Sequence, residues 1–251
     1  MLYISGISYK NKDKKTKVNE IYIMSEIVKK VNSKYIYTYE ESAEKYKELA
    51  EDKYAPYIQT NTLYRSAGWD KRYNEIYIDN CILGKTNKNQ IFRLANTLTM
   101  LHLRGGRGED RRIKLFEGLF LCVEKNNTIY SGIKIKRKGL NSSLWNKFLE
   151  KSDEKLYYEF KEFLKYYTIS AKNIDFVNNH ISDRLVDYLL EVKNEFPFEF
   201  EIVFDDENTY LRVFTGEMFT PKTMKEGILE YYYSLIKYTT EMIENLSNLI
   251  K

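Results

Sequence analysis

The chain has 251 residues, 43% hydrophobic and 30% charged, a balance that suits an ordinary globular protein and excludes a disordered or membrane-embedded one. Its 40 basic residues nearly match its 36 acidic ones, and a formal net charge of +4 does not by itself demand a nucleic-acid or membrane partner. Two cysteines without a CxxC pairing argue against a disulfide scaffold, and two histidines exclude a His-rich metal centre.

Residues 1–15 are expected to form a short N-terminal strand or arm. Met1-Leu2-Tyr3-Ile4 turns polar at Lys10, too short an apolar run for a signal peptide. Val18, Ile21, Met24, Ile27, Val28 and Val31 recur at three- and four-residue steps and predict an amphipathic helix, with Lys29 and Lys30 suited to its C-terminal dipole. A more polar helix is predicted over Glu40–Lys53, stopping before Pro56.

The middle of the chain reads as strands. Ile76-Tyr77-Ile78, Cys81-Ile82-Leu83 and Ile91–Leu103 are rich in β-branched and large apolar residues. Next, Ile113, Leu115, Leu119, Leu121 and Val123 fall on one face of a strand, with Phe116, Phe120 and Cys122 on the other. That is the pattern of a central strand covered on both sides. Lys125-Asn126-Asn127 suits a tight turn, after which Ile129, Ser131, Ile133 and Ile135 alternate with polar neighbours as a half-exposed strand.

Helices return after Gly139. Ser152 is positioned to cap a helix carrying Leu156, Phe160, Phe163 and Leu164, and Ile181, Leu185, Leu189 and Val192 mark another. Phe198, Phe200, Ile202 and Phe204 predict a strand that turns at Asp205–Asn208 and pairs back through Tyr210–Phe214. A last long helix starts near Thr220 and Pro221. Its stripe of Ile228, Tyr232, Leu235, Thr239, Met242, Leu246 and Leu249 suits packing on the core, or a helix–helix seam between two copies. The expected fold is α+β: one domain over residues 1–251, with a mixed, mostly antiparallel sheet, flanking helices and a long C-terminal amphipathic helix.

Several short motifs carry a family resemblance. They are Tyr57-Ile58 through Leu63-Tyr64, Tyr73-Asn74-Glu75-Ile76-Tyr77-Ile78-Asp79-Asn80 with Gly84, Phe116-Glu117-Gly118-Leu119-Phe120, Glu159-Phe160-x-x-Phe163, and Asp183-Arg184-Leu185 with the hairpin after it. In this order they resemble a bacterial family known as Domain of Unknown Function 3137, over roughly residues 16 to 240. Many members of that family look membrane-anchored, and this chain is expected to correspond to their soluble part. The resemblance implies a mixed α/β domain and supplies no activity or functional residues.

The segment Arg104-Gly105-Gly106-Arg107-Gly108-Glu109-Asp110-Arg111-Arg112 stands out chemically. Glycines admit a phosphate to the backbone, and Arg104, Arg107, Arg111 and Arg112 offer bidentate donors to anions or nucleic acid. The plainer reading is a solubilised hairpin tip, since the GxxxxGK[ST] spacing of a nucleotide loop is missing. Lys134, Lys136 and Lys138 form a second basic run, read equally well as a charged strand edge that resists aggregation.

Asp79 with Asp110, and Asp205 with Asp206, are candidate carboxylate pairs, although turn chemistry accounts for the second. His180, Ser182 and Asp183 lie too close in sequence to converge as a triad, and capping by Ser182 or Asp183 explains them better. His102, in an apolar strand, reads as a core histidine. No catalytic residue, metal or cofactor is therefore assigned. The expectation is a cytoplasmic, non-enzymatic module that binds a protein partner. The alternative is a nucleic-acid or ribonucleoprotein binder, including a nuclease inhibitor, with homo-oligomerisation through the C-terminal helix as a further option.

Overall fold

The computed structural model describes residues 14–38, 62–69, 73–104, 110–124, 129–138, 160–171, 181–216 and 226–249. Helix α1 (Lys14–Val31) leads into a three-residue strand β1 (Ile36–Thr38), and a short helical turn spans 62–66. Three long strands follow: β2 (Glu75–Lys85), β3 (Ile91–Arg104) and β4 (Asp110–Val123). The second half holds β5 (Ile133–Arg137), α2 (Lys161–Tyr166), β6 (Tyr167–Ala171), α3 (Asp183–Glu195), β7 (Glu199–Phe204), β8 (Thr209–Phe214) and α4 (Glu226–Leu249).

All eight strands join one sheet in the order β1-β2-β3-β4-β8-β7-β5-β6, and every pairing is antiparallel. Because side chains alternate across a strand, the sheet sorts its apolar residues into two layers. Leu119, Leu121 and Val123 of β4 join Phe200, Ile202, Leu211 and Val213 in the larger core, which α1, α3 and α4 cover with Met24, Val28, Leu189, Ile236 and Leu246. Phe116, Phe120 and Cys122 point the other way, into an aromatic layer closed by Tyr64, Ala67 and Trp69. The double-faced strand expected at Phe116–Val123 is thus β4, the fourth of the eight strands in the sheet order. Each large side chain buried here contributes about 1.5–3 kcal/mol by transfer.

Two bulges set the registers. Asp79 pairs with Asn96 but Ile82 with Leu94, so Asn80 and Cys81 together oppose Ala95, and Asn80 takes a positive φ of 50°. The two predicted strand pieces are therefore one bent strand. In the β3–β4 pairing, Thr99 faces Phe116 while Met100 faces Lys114, leaving Leu115 as the extra residue. The bulge reverses the alternation, so Ile113 shares the face of Phe116 rather than that of Leu119.

The helix expected through Leu164 ends at Tyr166, and the backbone turns directly into β6. Tyr167 and Ile169 alternate inward along an aromatic, β-branched run that favours the extended state. With β6 outside it, β5 is not the sheet edge that its lysines suggest. The strand expected from Ile129 begins only at Ile133. Residues 129–132 form a turn in which Gly132, at φ 83°, donates its N–H to the Phe204 carbonyl at 2.8 Å.

Helix α3 starts where Ser182 accepts the Leu185 N–H at 3.3 Å, the N-cap expected from sequence. On α4, Tyr232, Leu235, Thr239, Met242 and Leu246 are buried, so its stripe is spent on the chain's own core. The helix predicted over Glu40–Lys53, residues 1–13 of the arm expected over 1–15, the Lys125–Asn127 turn, the Ser152 cap with Leu156, His180, and the Thr220–Pro221 start lie outside the described residues, while Lys14 and Lys15 already belong to α1 rather than to an arm.

Candidate functional site

The β3–β4 ribbon projects from this frame. Strand β8 supports β4 only from Gly118 to Val123, and β2 supports β3 only as far as Met100. Beyond those points the two strands run on as a pair to Arg104 and Asp110. The ribbon end is braced from below by Asn74, whose side chain accepts the His102 N–H at 2.7 Å and donates to the His102 carbonyl at 2.8 Å, replacing one more pair of the β2 ladder. Glu75 lies 3.1 Å from His102 Nδ1 and 3.5 Å from Arg112 Nε, so a carboxylate offsets part of the basic charge.

Apolar side chains on this end are incompletely covered. On one face Tyr77 is 45% exposed with Leu98 and Met100 partly exposed beside it, and on the other Leu103 is 44% exposed with Leu101 and Ile113 partly exposed beside it. Arg111 and Arg112 are exposed beside Leu103 and His102. Arg104 ends β3, and Arg107 belongs to the 105–109 segment outside the described residues.

The β5 lysines are a separate feature. Register links Lys136 through Glu201 and Arg212 to Phe120, which puts it three strands across and about 25 Å down the sheet from Arg112. The two basic runs do not form one patch. Lys136 pairs with Glu201 at 2.9 Å, and Lys138 donates to the Leu164 carbonyl at 2.7 Å. Between them, Arg137 caps the end of α3 by donating to the carbonyls of Lys193 at 2.9 Å, Phe198 at 3.1 Å and Phe196. Lys134 remains exposed, beside Gly68.

Two groups of buried polar side chains in the sheet are tied together internally. Arg212 donates from Nε to Glu201 at 2.7 Å, lies over Trp69, Phe116 and Phe214, and reaches the Tyr64 hydroxyl at 3.5 Å. Asp79 accepts from Asn80 at 2.9 Å and Asn96 at 2.6 Å at the β2 bulge, while Asp110 opens β4 far along the ribbon, so this pair does not converge. Asp205 and Asp206 close the β7–β8 turn, where Asp205 accepts the Asp206 N–H at 2.9 Å. Burial pushes the Cys122 thiol well above its usual range, which suppresses the reactive thiolate. Among the described residues no cluster of three His, Cys, Asp or Glu side chains is arranged to hold a metal, and no helix is long and apolar enough to cross a membrane.

A groove of about 430 Å³ lies between α3 and α4. Its floor holds the buried Val192, Phe196 and Met242, and its walls carry Glu191, Glu195, Glu241, Tyr188 and Tyr238. Burial raises the Tyr188 hydroxyl to about 12, and Glu195, Glu241 and Glu191 add to the push. Sequence reasoning followed the apolar stripe of α3 and passed over this acidic flank. Glu191 and Glu195, one helical turn apart, were the available signal.

A sheet of eight antiparallel strands, α1 to α4 on one face and a projecting ribbon define an α+β fold. The family described as Protein of unknown function (DUF3137) matches residues 114–251, more than half of the chain, and the chain belongs to that family. The match takes in the Phe116–Phe120 and Asp183–Leu185 motifs and the hairpin; the motifs before residue 85 precede it. No curated protein and no solved structure matches the chain.

Proposed function

We propose that this chain is a non-enzymatic interaction module that binds a partner protein through the free end of the β3–β4 ribbon. The supporting observation is the projecting pair of strands, on one face of which the partly exposed Leu101, Leu103 and Ile113 stand with Arg111, while Arg112 is exposed on the other face. Apolar side chains beside arginine are a composition that protein interfaces favour over the rest of a surface. Cys81 and Cys122 are buried and form no disulfide, in keeping with a reducing compartment, and this reading assigns the chain to the bacterial cytoplasm.

The test is affinity capture from the native cell lysate with and without nuclease, using the unaltered chain and a Leu103→Asn/Arg111→Ala/Arg112→Ala variant. A discrete protein that survives nuclease and is lost with the variant supports the reading. Capture that ignores the variant refutes it.

A second reading is nucleic-acid or ribonucleoprotein binding, favoured by exposed arginines on a two-stranded ribbon, a shape that enters a major groove. It predicts affinity for RNA or DNA that falls steeply with salt and flattens when Arg111 and Arg112 become alanine.

A further inference from the structure

The groove between α3 and α4 is lined by acidic side chains. The chain carries a net charge of +4, yet Glu191, Glu195 and Glu241 line this one channel. Lys237 reaches Glu241 at 3.8 Å, but both side chains are about half exposed, and such a pair is worth little in water. Nearby Lys193 is turned away, its Nζ 3.5 Å over the Tyr166 ring.

Beneath the carboxylates the floor is apolar. Phe196 is 4% and Met242 3% exposed, while Tyr238 stands on the rim at 43%. The walls recur with each helical turn, and on α4 they run from Tyr238 to Leu249, a span of about 16 Å. That length matches roughly three turns of another helix. The volume takes the side chains of one face of such a helix, not its backbone.

We propose that this groove docks a short basic amphipathic helix from a partner protein. Its apolar side chains at i, i+3, i+4 and i+7 seat on Phe196 and Met242, and its flanking lysines or arginines meet Glu191, Glu195 and Glu241. The Tyr238 ring offers one of those cations a π face. Charge complementarity selects this occupant: an acidic helix is repelled, and a polyanion has nothing to bind. The site is separate from the ribbon, so either surface can fail without the other.

The experiment is fluorescence anisotropy of the full chain with a labelled amphipathic leucine/lysine helix, and with its leucine/glutamate analogue. Saturable binding to the lysine helix is expected, weakening with salt. Glu191→Lys/Glu195→Lys should weaken it at least tenfold and the milder Glu191→Gln/Glu195→Gln severalfold, both at exposed positions that leave the core intact. Arg111→Ala/Arg112→Ala should leave it unchanged. No saturable binding, equal affinity for the glutamate helix, or indifference to both glutamate variants overturns the proposal. Self-association that the glutamate variants abolish also overturns it, and assigns the groove to a second copy of this chain.

Discussion

The point at which the ribbon leaves the sheet depends on Gly118. This residue of β4 faces Phe214 across the pairing with β8, and a Cβ added to it would lie 1.9 Å from the Val213 carbonyl oxygen and 3.0 Å from the Thr215 nitrogen. The obstacle is backbone, which cannot rotate aside as a side chain would. Relief requires β4 and β8 to part by about 1 Å where strands normally sit about 4.8 Å apart. Overpacking costs about 1–3 kcal/mol, and loosening one or two ladder hydrogen bonds costs about 1 kcal/mol each. Gly118→Ala should therefore destabilise the chain by about 3 kcal/mol, lowering the melting temperature by roughly 6–12 °C for a protein of this size.

Two other glycines calibrate the effect in the same urea and thermal denaturation series. Gly132 has φ 83° but nothing within 4 Å of an added Cβ, so Gly132→Ala should cost about 1 kcal/mol from backbone strain alone. Gly227 lies in α4 with open space around it, and Gly227→Ala should stabilise by about 0.5 kcal/mol. A Gly118→Ala loss smaller than that of Gly132→Ala would refute the β4–β8 register, and with it the position of the ribbon.

Other consequences follow from the buried polar groups. Glu201→Leu strands the Arg212 guanidinium, whose side chain is only 11% exposed, and should cost about 3 kcal/mol; Glu201→Leu/Arg212→Leu should cost less than that single change when both are measured by urea unfolding. Ser182→Ala should lose about 1 kcal/mol and speed hydrogen exchange at the Leu185 amide, with Ser182→Asp retaining most of the cap. Burial raises Tyr188 and Tyr210 to about 12 from an unfolded value near 10, favouring their protonated forms in the fold. That stability is complete below pH 10 and is lost as pH rises from 10 through 12, so the urea midpoint should fall across that window. A flat alkaline profile would contradict the buried placement of these hydroxyls.

Local periodicity made the second half of the fold legible. Phe200, Ile202 and Phe204 alternate inward as their spacing implies, Ser182 caps α3, and the α4 stripe lies on the core. The same rule carried the two-sided burial of β4 but not the bulge at Leu115, because a register shift is fixed by the partner strand. Strand β6 escaped notice because Phe163 and Leu164 extend a helical stripe up to the residue where Tyr167 turns extended. The Arg212–Glu201–Tyr64 cluster joins residues far apart in sequence and exists only once β7, β8 and the 62–69 segment are packed. The arginine-rich tip was conspicuous in sequence. Its separation from the β5 lysines was not, since strand order is a property of the whole sheet.

The most direct test of the ribbon as a docking element is site-specific photo-crosslinking in the native cell lysate. A photoreactive residue is placed at Leu103 on the ribbon and, in a separate protein, at Tyr22 on α1, which is 63% exposed but lies outside the proposed surface. A discrete cross-linked protein is expected from position 103, insensitive to nuclease and lost with Arg111→Ala/Arg112→Ala, and none from position 22. The same product from position 22, or none from position 103, would contradict that docking role.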